Sequence, residues 1–154
     1  MSDTQFGLVV IGAGPGGYVA AIRAAQLGLK TAIVEKQHLG GVCLNWGCIP
    51  TKALLSGAAL AQQFKHAGQF GFTLNAIDFD IQKLVHHSRQ VSEQLVQGIG
   101  QLLKKNQITV FNAAAQFIAK EQLELTDANG QKQQISAPLI IVASGARAAN
   151  LPHI

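Results

Sequence analysis

The chain has 154 residues, 48% of them apolar and 13% charged, with a formal net charge of +4. That balance fits one ordinary domain with a sizeable core and excludes a disordered tail. The twelve Lys and Arg are scattered, densest at Lys104-Lys105, so no basic stripe marks a nucleic-acid surface.

The pattern predicts an α/β fold, taken here in chain order. Residues 6–11 read as a short, fully buried strand. A Gly-rich turn follows, then an Ala-rich helix over residues 18–27, with Gly28 where a helix C-cap belongs. Residues 31–34 read as a second buried strand, so 6–35 form one βαβ unit with a parallel sheet. Residues 43–65 read as a helix with a difficult first turn, and 68–74 as a Gly- and Phe-containing loop. Asp78 or Asp80 can cap a long helix over 80–106, whose apolar positions keep helical spacing. The segment 108–145 reads as a small antiparallel β-meander and a last strand. Its strands are expected at 109–111, 116–119, 123–126, 133–136 and 139–142, with a hairpin turn at Asn129-Gly130.

Residues 6–22 carry no charge, but they are short for a membrane span and several glycines interrupt them. The first five residues, polar and without a basic run, do not resemble a secretory signal, and an Arg-rich transit segment is absent. These features make a cytoplasmic protein with no membrane partner the default.

Gly12-Ala13-Gly14-Pro15-Gly16-Gly17 gives G-x-G-x-x-G between a strand and a helix. Gly12 allows the tight turn, Gly14 lets the backbone approach a pyrophosphate, and Gly17 lets helix and strand pack closely. The helix N-terminus offers N–H groups and a positive dipole end to phosphates. Glu35 ends the second strand, where an acid accepts hydrogen bonds from ribose hydroxyls and repels a 2′-phosphate. A Gly-rich turn without a ligand is the bland alternative, and the motif by itself does not separate FAD from NAD.

The two cysteines, Cys43 and Cys48, are too few for a secreted disulfide scaffold. In a reducing compartment a close pair points to catalysis or a metal. Residues five apart on a regular α-helix point about 140° away from each other, because each step turns roughly 100°. If the sulfurs meet, the helix start is irregular; Gly47 supplies backbone freedom, and Pro50 removes an N–H and crowds the carbonyl of Trp46. Thiols at a helix N-terminus have lowered pKa values, which would leave one as a reactive thiolate. Zinc is poorly served, since two thiolates fill half of a tetrahedral site. Two inert buried cysteines remain an alternative.

The glycine loop, the strand ending in Glu35, and the run Gly40-Gly41-Val42-Cys43-Leu44-Asn45-Trp46-Gly47-Cys48-Ile49-Pro50-Thr51-Lys52 together resemble the flavoprotein disulfide oxidoreductases. The form C-L-N-x-G-C-I-P-T-K resembles the members that oxidise dihydrolipoamide; glutathione reductase-like and mercuric reductase-like flavoenzymes are the alternatives. A non-catalytic FAD-binding half-domain is another. The resemblance spans nearly the whole chain and implies a Rossmann-like FAD-binding domain over 1–154. Cys43 would exchange with the substrate disulfide and Cys48 would pass electrons to the flavin, with Lys52 near its ring. Gly12, Gly14 and Gly17 would hold the pyrophosphate and Glu35 the adenosine ribose. Pro15, Lys36, Gly41, Val42, Ala115, Ser144 and Gly145 complete the implied FAD-binding set. Residues 110–117 resemble a family segment whose backbone touches adenine, with Ala113 in place of Gly; Ser144 replaces the usual Thr.

The resemblance also implies that NAD⁺ is the co-substrate and that lipoyl groups of 2-oxoacid dehydrogenase complexes are the partners. It implies a longer, homodimeric parent with an NAD-binding domain and a dimerisation domain carrying a catalytic His-Glu pair. Neither domain is present in this chain, which reads as a fragment with little activity alone. His38, His66, His86, His87 and His153 match no motif of the family, and His86-His87 reads as a solvated helix face. Cys43 is expected to be the more accessible sulfur and Cys48 the deeper one, the two forming an intrachain disulfide.

Overall fold

A computed structural model describes residues 4–74, 76, 78–147 and 149. The chain divides into two units, 1–41 with 98–154, and 42–97. His153 and the terminal residues 150–154 lie outside the described residues.

The first unit is built on a six-stranded sheet in the order β5-β4-β3-β2-β1-β6. β1 (Leu8–Ile11) pairs in parallel with β2 (Thr31–Glu35) and with β6 (Leu139–Val142). Both faces of β1 are covered, which is why its sequence is an unbroken apolar run. Val9, Val10 and Ile33 are 0% exposed, and each such side chain contributes roughly 1.5–3 kcal/mol by leaving water. α1 (Pro15–Gln26) crosses between β1 and β2. Pro15 stands at its first position, where the missing N–H costs nothing. Gly28, at φ 88°, closes α1, and Leu29 N–H reaches back to the Ala24 carbonyl.

β3 (Thr109–Ala119) differs from expectation. The sequence suggests two short strands; the structure has one strand of 11 residues serving two partners. Its first part runs parallel to β2, from Thr109 against Ala32 to Asn112 against Glu35. From Ala113 onward it pairs antiparallel with β4 (Gln122–Asp127). The small residues Ala113-Ala114-Ala115 hid this continuity, since they carry little strand propensity of their own. β4 turns into β5 (Lys132–Ser136) at the predicted Asn129-Gly130 hairpin. Gly130 takes φ 78°, and the Asp127 carboxylate accepts hydrogen bonds from the N–H of Asn129 and Gln131, both at 2.8 Å. The edge of the meander is tied back where Phe6 N–H donates to the Ser136 carbonyl at 2.9 Å. A buried cluster between meander and parallel sheet unites Phe6, Val9, Val34, Leu123, Leu125 and Ile135.

The second unit is helical. α2 (Gly41–Asn45) begins at the boundary, α3 (Cys48–His66) follows after a two-residue break, and a 3₁₀ turn spans Ala67–Phe70. The expected single helix over 43–65 is therefore two helices. α4 (Ile81–Lys105) runs through the division at Gly98. Of the two candidate caps it uses Asp80, whose carboxylate accepts from Gln82 N–H at 2.9 Å and Lys83 N–H at 3.2 Å. His86 and His87 are exposed on α4. No described helix is long and apolar enough to cross a membrane.

Candidate functional site

In the first unit, the chain steps from β1 to β2 to β3 on one side and returns to β6 on the other. The strand order thus reverses at β1, and in open α/β sheets ligands bind beyond the carboxyl ends of strands at such a point. A cleft of about 200 Å³ lies there, lined by Ile11, Gly12, Val34, Lys36, Ala113, Ala114, Ala115 and Ser144.

The glycines of the loop are fixed by backbone contacts. Gly12 sits at φ 100°, and a Cβ added to it would strike the Ala143 carbonyl oxygen and lie 3.0 Å from Ser144 Cα. A Cβ on Gly17 would strike the Gly12 carbonyl oxygen and lie 3.5 Å from Val10 Cγ1. These are the tight turn and the close helix–strand contact that the motif calls for. Gly14 and Gly41 stand backbone to backbone: a Cβ on Gly41, itself at φ 57°, would lie 2.8 Å from Gly14 Cα. Gly40 N–H donates to the Ala13 carbonyl at 2.8 Å and Gly12 N–H to the Val34 carbonyl at 2.7 Å, so the loop is anchored on both sides.

The Glu35 carboxylate is already in use. One oxygen accepts from Ala13 N–H at 2.9 Å and the other from Gln37 N–H at 2.8 Å. Each carboxylate oxygen has a second lone pair, so the acid can brace the loop and still accept from a hydroxyl. The G-x-G-x-x-G spacing does not reveal this brace. Ala113, the departure from the family's Gly, is 6% exposed and belongs to the buried core cluster. Gly145 takes φ 74° directly after Ser144. The arrangement fits a dinucleotide: backbone without Cβ atoms approaches the helix start, an acid ends β2, and small residues line the cleft.

In the second unit, Cys43 lies on α2 and Cys48 opens α3. Gly47 between them takes φ −118° and ψ −111°, off the helical path. A Cβ on Gly47 would lie 3.1 Å from the Val42 carbonyl oxygen and 3.4 Å from Cys43 Cα, so the two turns touch there. Pro50 falls in the first turn of α3, where helical N–H groups have no intrahelical partner. The first helical bond of α3 runs from Thr51 N–H to the Gly47 carbonyl at 3.1 Å. This break brings together two side chains that a regular helix would separate, and both stand as thiols in mutual hydrogen-bond contact.

That contact sets the acidity of Cys43. Hydrogen bonding to the Cys48 thiol raises its pKa above the ordinary thiol value, with desolvation adding to the rise. The backbone N–H of Cys48 and, to a smaller extent, the charge of Lys52 pull it partly back. The lowered pKa expected at a helix start is thus not what governs Cys43; a neighbouring thiol outweighs it. The exposure order is also the reverse of the sequence-based expectation, since Cys48 is exposed and Cys43 half-buried. Cys48 sits at the outward first position of α3, whereas Cys43 lies within the short α2. Val42, on the same turn, is 58% exposed. Among the described residues no group of three or more His, Cys, Asp or Glu could hold a metal ion.

Sequence reasoning missed Arg89. Its Nη1 donates to the Asn45 carbonyl at 2.8 Å, from 44 residues away. No local pattern links the two.

The first unit carries a strand-order switch over a glycine loop, and the second carries a pair of thiols at a broken helix. Residues 6–154 match the family model described as pyridine nucleotide-disulphide oxidoreductase, and the chain belongs to that family. It is similar to the dihydrolipoyl dehydrogenase of Zymomonas mobilis, with 47% identity over 100% of this chain and 33% of that protein. The dihydrolipoyl dehydrogenase of Chlamydia trachomatis is 44% identical over 99% of this chain and 32% of its own length. A Bacillus subtilis dihydrolipoyl dehydrogenase is 44% identical over 94% of this chain and 32% of its own length. The chain thus spans about a third of the curated relatives it matches.

Proposed function

We propose that this chain is the FAD-binding and redox-dithiol part of an enzyme that oxidises dihydrolipoamide to lipoamide with NAD⁺. The observation that carries the reading is the thiol–thiol contact of Cys43 and Cys48 at the break between α2 and α3. Gly12, Gly14, Pro15 and Gly17 hold the pyrophosphate of FAD at the start of α1, with Gly41 behind them. Glu35 takes the adenosine ribose, and Lys36, Ala115, Ser144 and Gly145 line the rest of the adenosine side. Val42 and Lys52 serve the flavin side. When bound, FAD supplies a two-electron acceptor for the dithiol. The chain's own residues do the remainder. A lipoyl thiol attacks Cys43 of the Cys43–Cys48 disulfide and releases Cys48 as a thiolate; the second lipoyl thiol then displaces Cys43, so that lipoamide leaves and the protein keeps the dithiol for reoxidation by bound FAD. Lys52 holds positive charge near the forming thiolate.

The partners in this reading are lipoyl groups of 2-oxoacid dehydrogenase complexes, and the longer protein is a cytoplasmic homodimer. Spanning a third of its relatives, the 154-residue chain carries part of the reaction. The test is made on the full-length protein: flavin absorbance retained after desalting, and NADH formed from dihydrolipoamide and NAD⁺. Both activity and disulfide should vanish in Cys43→Ser and Cys48→Ser, while flavin absorbance persists. Turnover of glutathione disulfide without turnover of lipoamide would overturn the substrate assignment. A colourless full-length protein would overturn the cofactor assignment.

A further inference from the structure

Arg89 reaches the dithiol turn from α4. Its guanidinium donates to the carbonyl of Asn45 at 2.8 Å. Asn45 ends α2, and Trp46 and Gly47 form the break that separates the two cysteine-bearing turns. A carbonyl in the last turn of a helix has no intrahelical donor, and a guanidinium satisfies it with a charge-assisted bond. On the same stretch of α4, Ser88 and Ser92 are 1% and 5% exposed. Their hydroxyls bond back along the helix, to the Val85 carbonyl at 2.7 Å and the Ser88 carbonyl at 3.1 Å. Those buried polar groups are therefore spent within α4, and the neighbouring Arg89 makes a side-chain bond to the turn.

Backbone bonds run through the dithiol turn, from Trp46 N–H to the Val42 carbonyl at 2.9 Å and from Thr51 N–H to the Gly47 carbonyl at 3.1 Å, and two further contacts bear on its break. Gly47 lies against Val42 and Cys43, where a Cβ would come within 3.1 Å of the Val42 carbonyl oxygen. Arg89 fixes the carbonyl of Asn45, two residues before Gly47. Loss of either contact gives the turns bearing Cys43 and Cys48 more freedom, which lowers the local concentration of one sulfur at the other.

We propose that Arg89 is a positioning residue for the Cys43–Cys48 pair: by holding the Asn45 carbonyl it favours closure of the disulfide over the open dithiol. The inference rests on the reading of the two cysteines as a redox pair. Closure breaks two S–H bonds and forms one S–S bond. The electron pair and two protons pass to oxidised dithiothreitol, whose own S–S bond opens to the dithiol.

The test equilibrates the full-length protein with oxidised and reduced dithiothreitol, traps free thiols by alkylation, and counts labelled Cys43 and Cys48 by mass spectrometry. Arg89→Met keeps the apolar stem and loses the donor. It should lower the disulfide-to-dithiol ratio roughly three- to tenfold, the range set by one hydrogen bond's net contribution. Tenfold corresponds to about 30 mV for this two-electron couple. Arg89→Lys keeps a cationic donor and should restore most of the ratio. Thermal midpoints are taken in parallel, because a merely structural role would lower the midpoint and leave the ratio alone. Equal ratios for wild type and Arg89→Met overturn the inference, as does an Arg89→Lys variant no better than Arg89→Met. If the wild type forms no Cys43–Cys48 disulfide at any ratio of reagent, the redox-pair reading itself has failed and the inference falls with it.

Discussion

Two adjacent glycines at the start of α1 should respond in opposite directions to the same substitution. A Cβ on Gly17 would strike the Gly12 carbonyl oxygen and lie 2.9 Å from the carbonyl carbon. Both obstacles are backbone, so no rotamer change relieves them, and α1 must move away from the loop after β1. Overpacking of this kind costs about 1–3 kcal/mol, and a rigid backbone obstacle belongs at the upper end. Gly16 has nothing within 4 Å of its hypothetical Cβ. Placed in α1, Gly16→Ala should stabilise by about 0.5–1 kcal/mol, because alanine loses less backbone entropy than glycine on entering a helix. The same propensity gain offsets part of the Gly17→Ala cost, leaving a net loss of about 2 kcal/mol and a gap of about 3 kcal/mol between the variants. For a chain of this size that gap corresponds to roughly 6–12 °C in thermal midpoint. The assay is thermal unfolding of flavin-free protein, since bound ligand would add its own stabilisation. Equal midpoints for Gly16→Ala and Gly17→Ala would refute the claim that the loop and α1 meet backbone to backbone.

Gly47→Ala should separate the two cysteine turns, because its Cβ meets the Val42 carbonyl oxygen at 3.1 Å and Cys43 Cα at 3.4 Å. A disulfide-to-dithiol ratio lowered roughly tenfold, about 1.4 kcal/mol, is the expected reading against dithiothreitol, and an unchanged ratio would count against the geometry. Cys48→Ala removes the thiol that raises the Cys43 pKa. A raised pKa leaves less thiolate at neutral pH, so the variant should alkylate at Cys43 faster near pH 7 and reach half its maximal rate at lower pH. A superimposable rate–pH profile for wild-type and variant dithiol would refute that coupling. Glu35→Gln places an amide where one oxygen receives Ala13 N–H at 2.9 Å and the other Gln37 N–H at 2.8 Å. One of those N–H groups then faces a donor. FAD affinity of the full-length protein should weaken about tenfold, roughly 1.4 kcal/mol, as measured by fluorescence titration. Unaltered affinity would show that the brace does not matter to binding.

Much of this protein is local, and the sequence by itself determined that part. The apolar run at residues 8–11, the glycines at 12, 14 and 17 and the acid at 35 set up β1, α1 and β2, because each depends on neighbours within one βαβ unit. Gly28, Asp80 and Asn129-Gly130 marked ends and turns through backbone chemistry that acts over a few residues. The segment from Gly41 to Lys52 pointed to an irregular helix start if the two sulfurs meet, since Gly47 supplies backbone freedom and Pro50 crowds the carbonyl of Trp46. Other features depended on partners distant in the chain, and the tertiary structure alone decided them. The small side chains at 113–115 concealed that β3 is one strand, because its two halves are stabilised by different neighbours, β2 and β4. The acidity of Cys43 followed from a thiol set beside it by the break between α2 and α3, against the local expectation for a helix start. The second use of the Glu35 carboxylate and the reach of Arg89 to Asn45 join residues 22 and 44 positions apart. Contacts of that span are chosen by the packing of whole elements, which no short pattern of residues encodes.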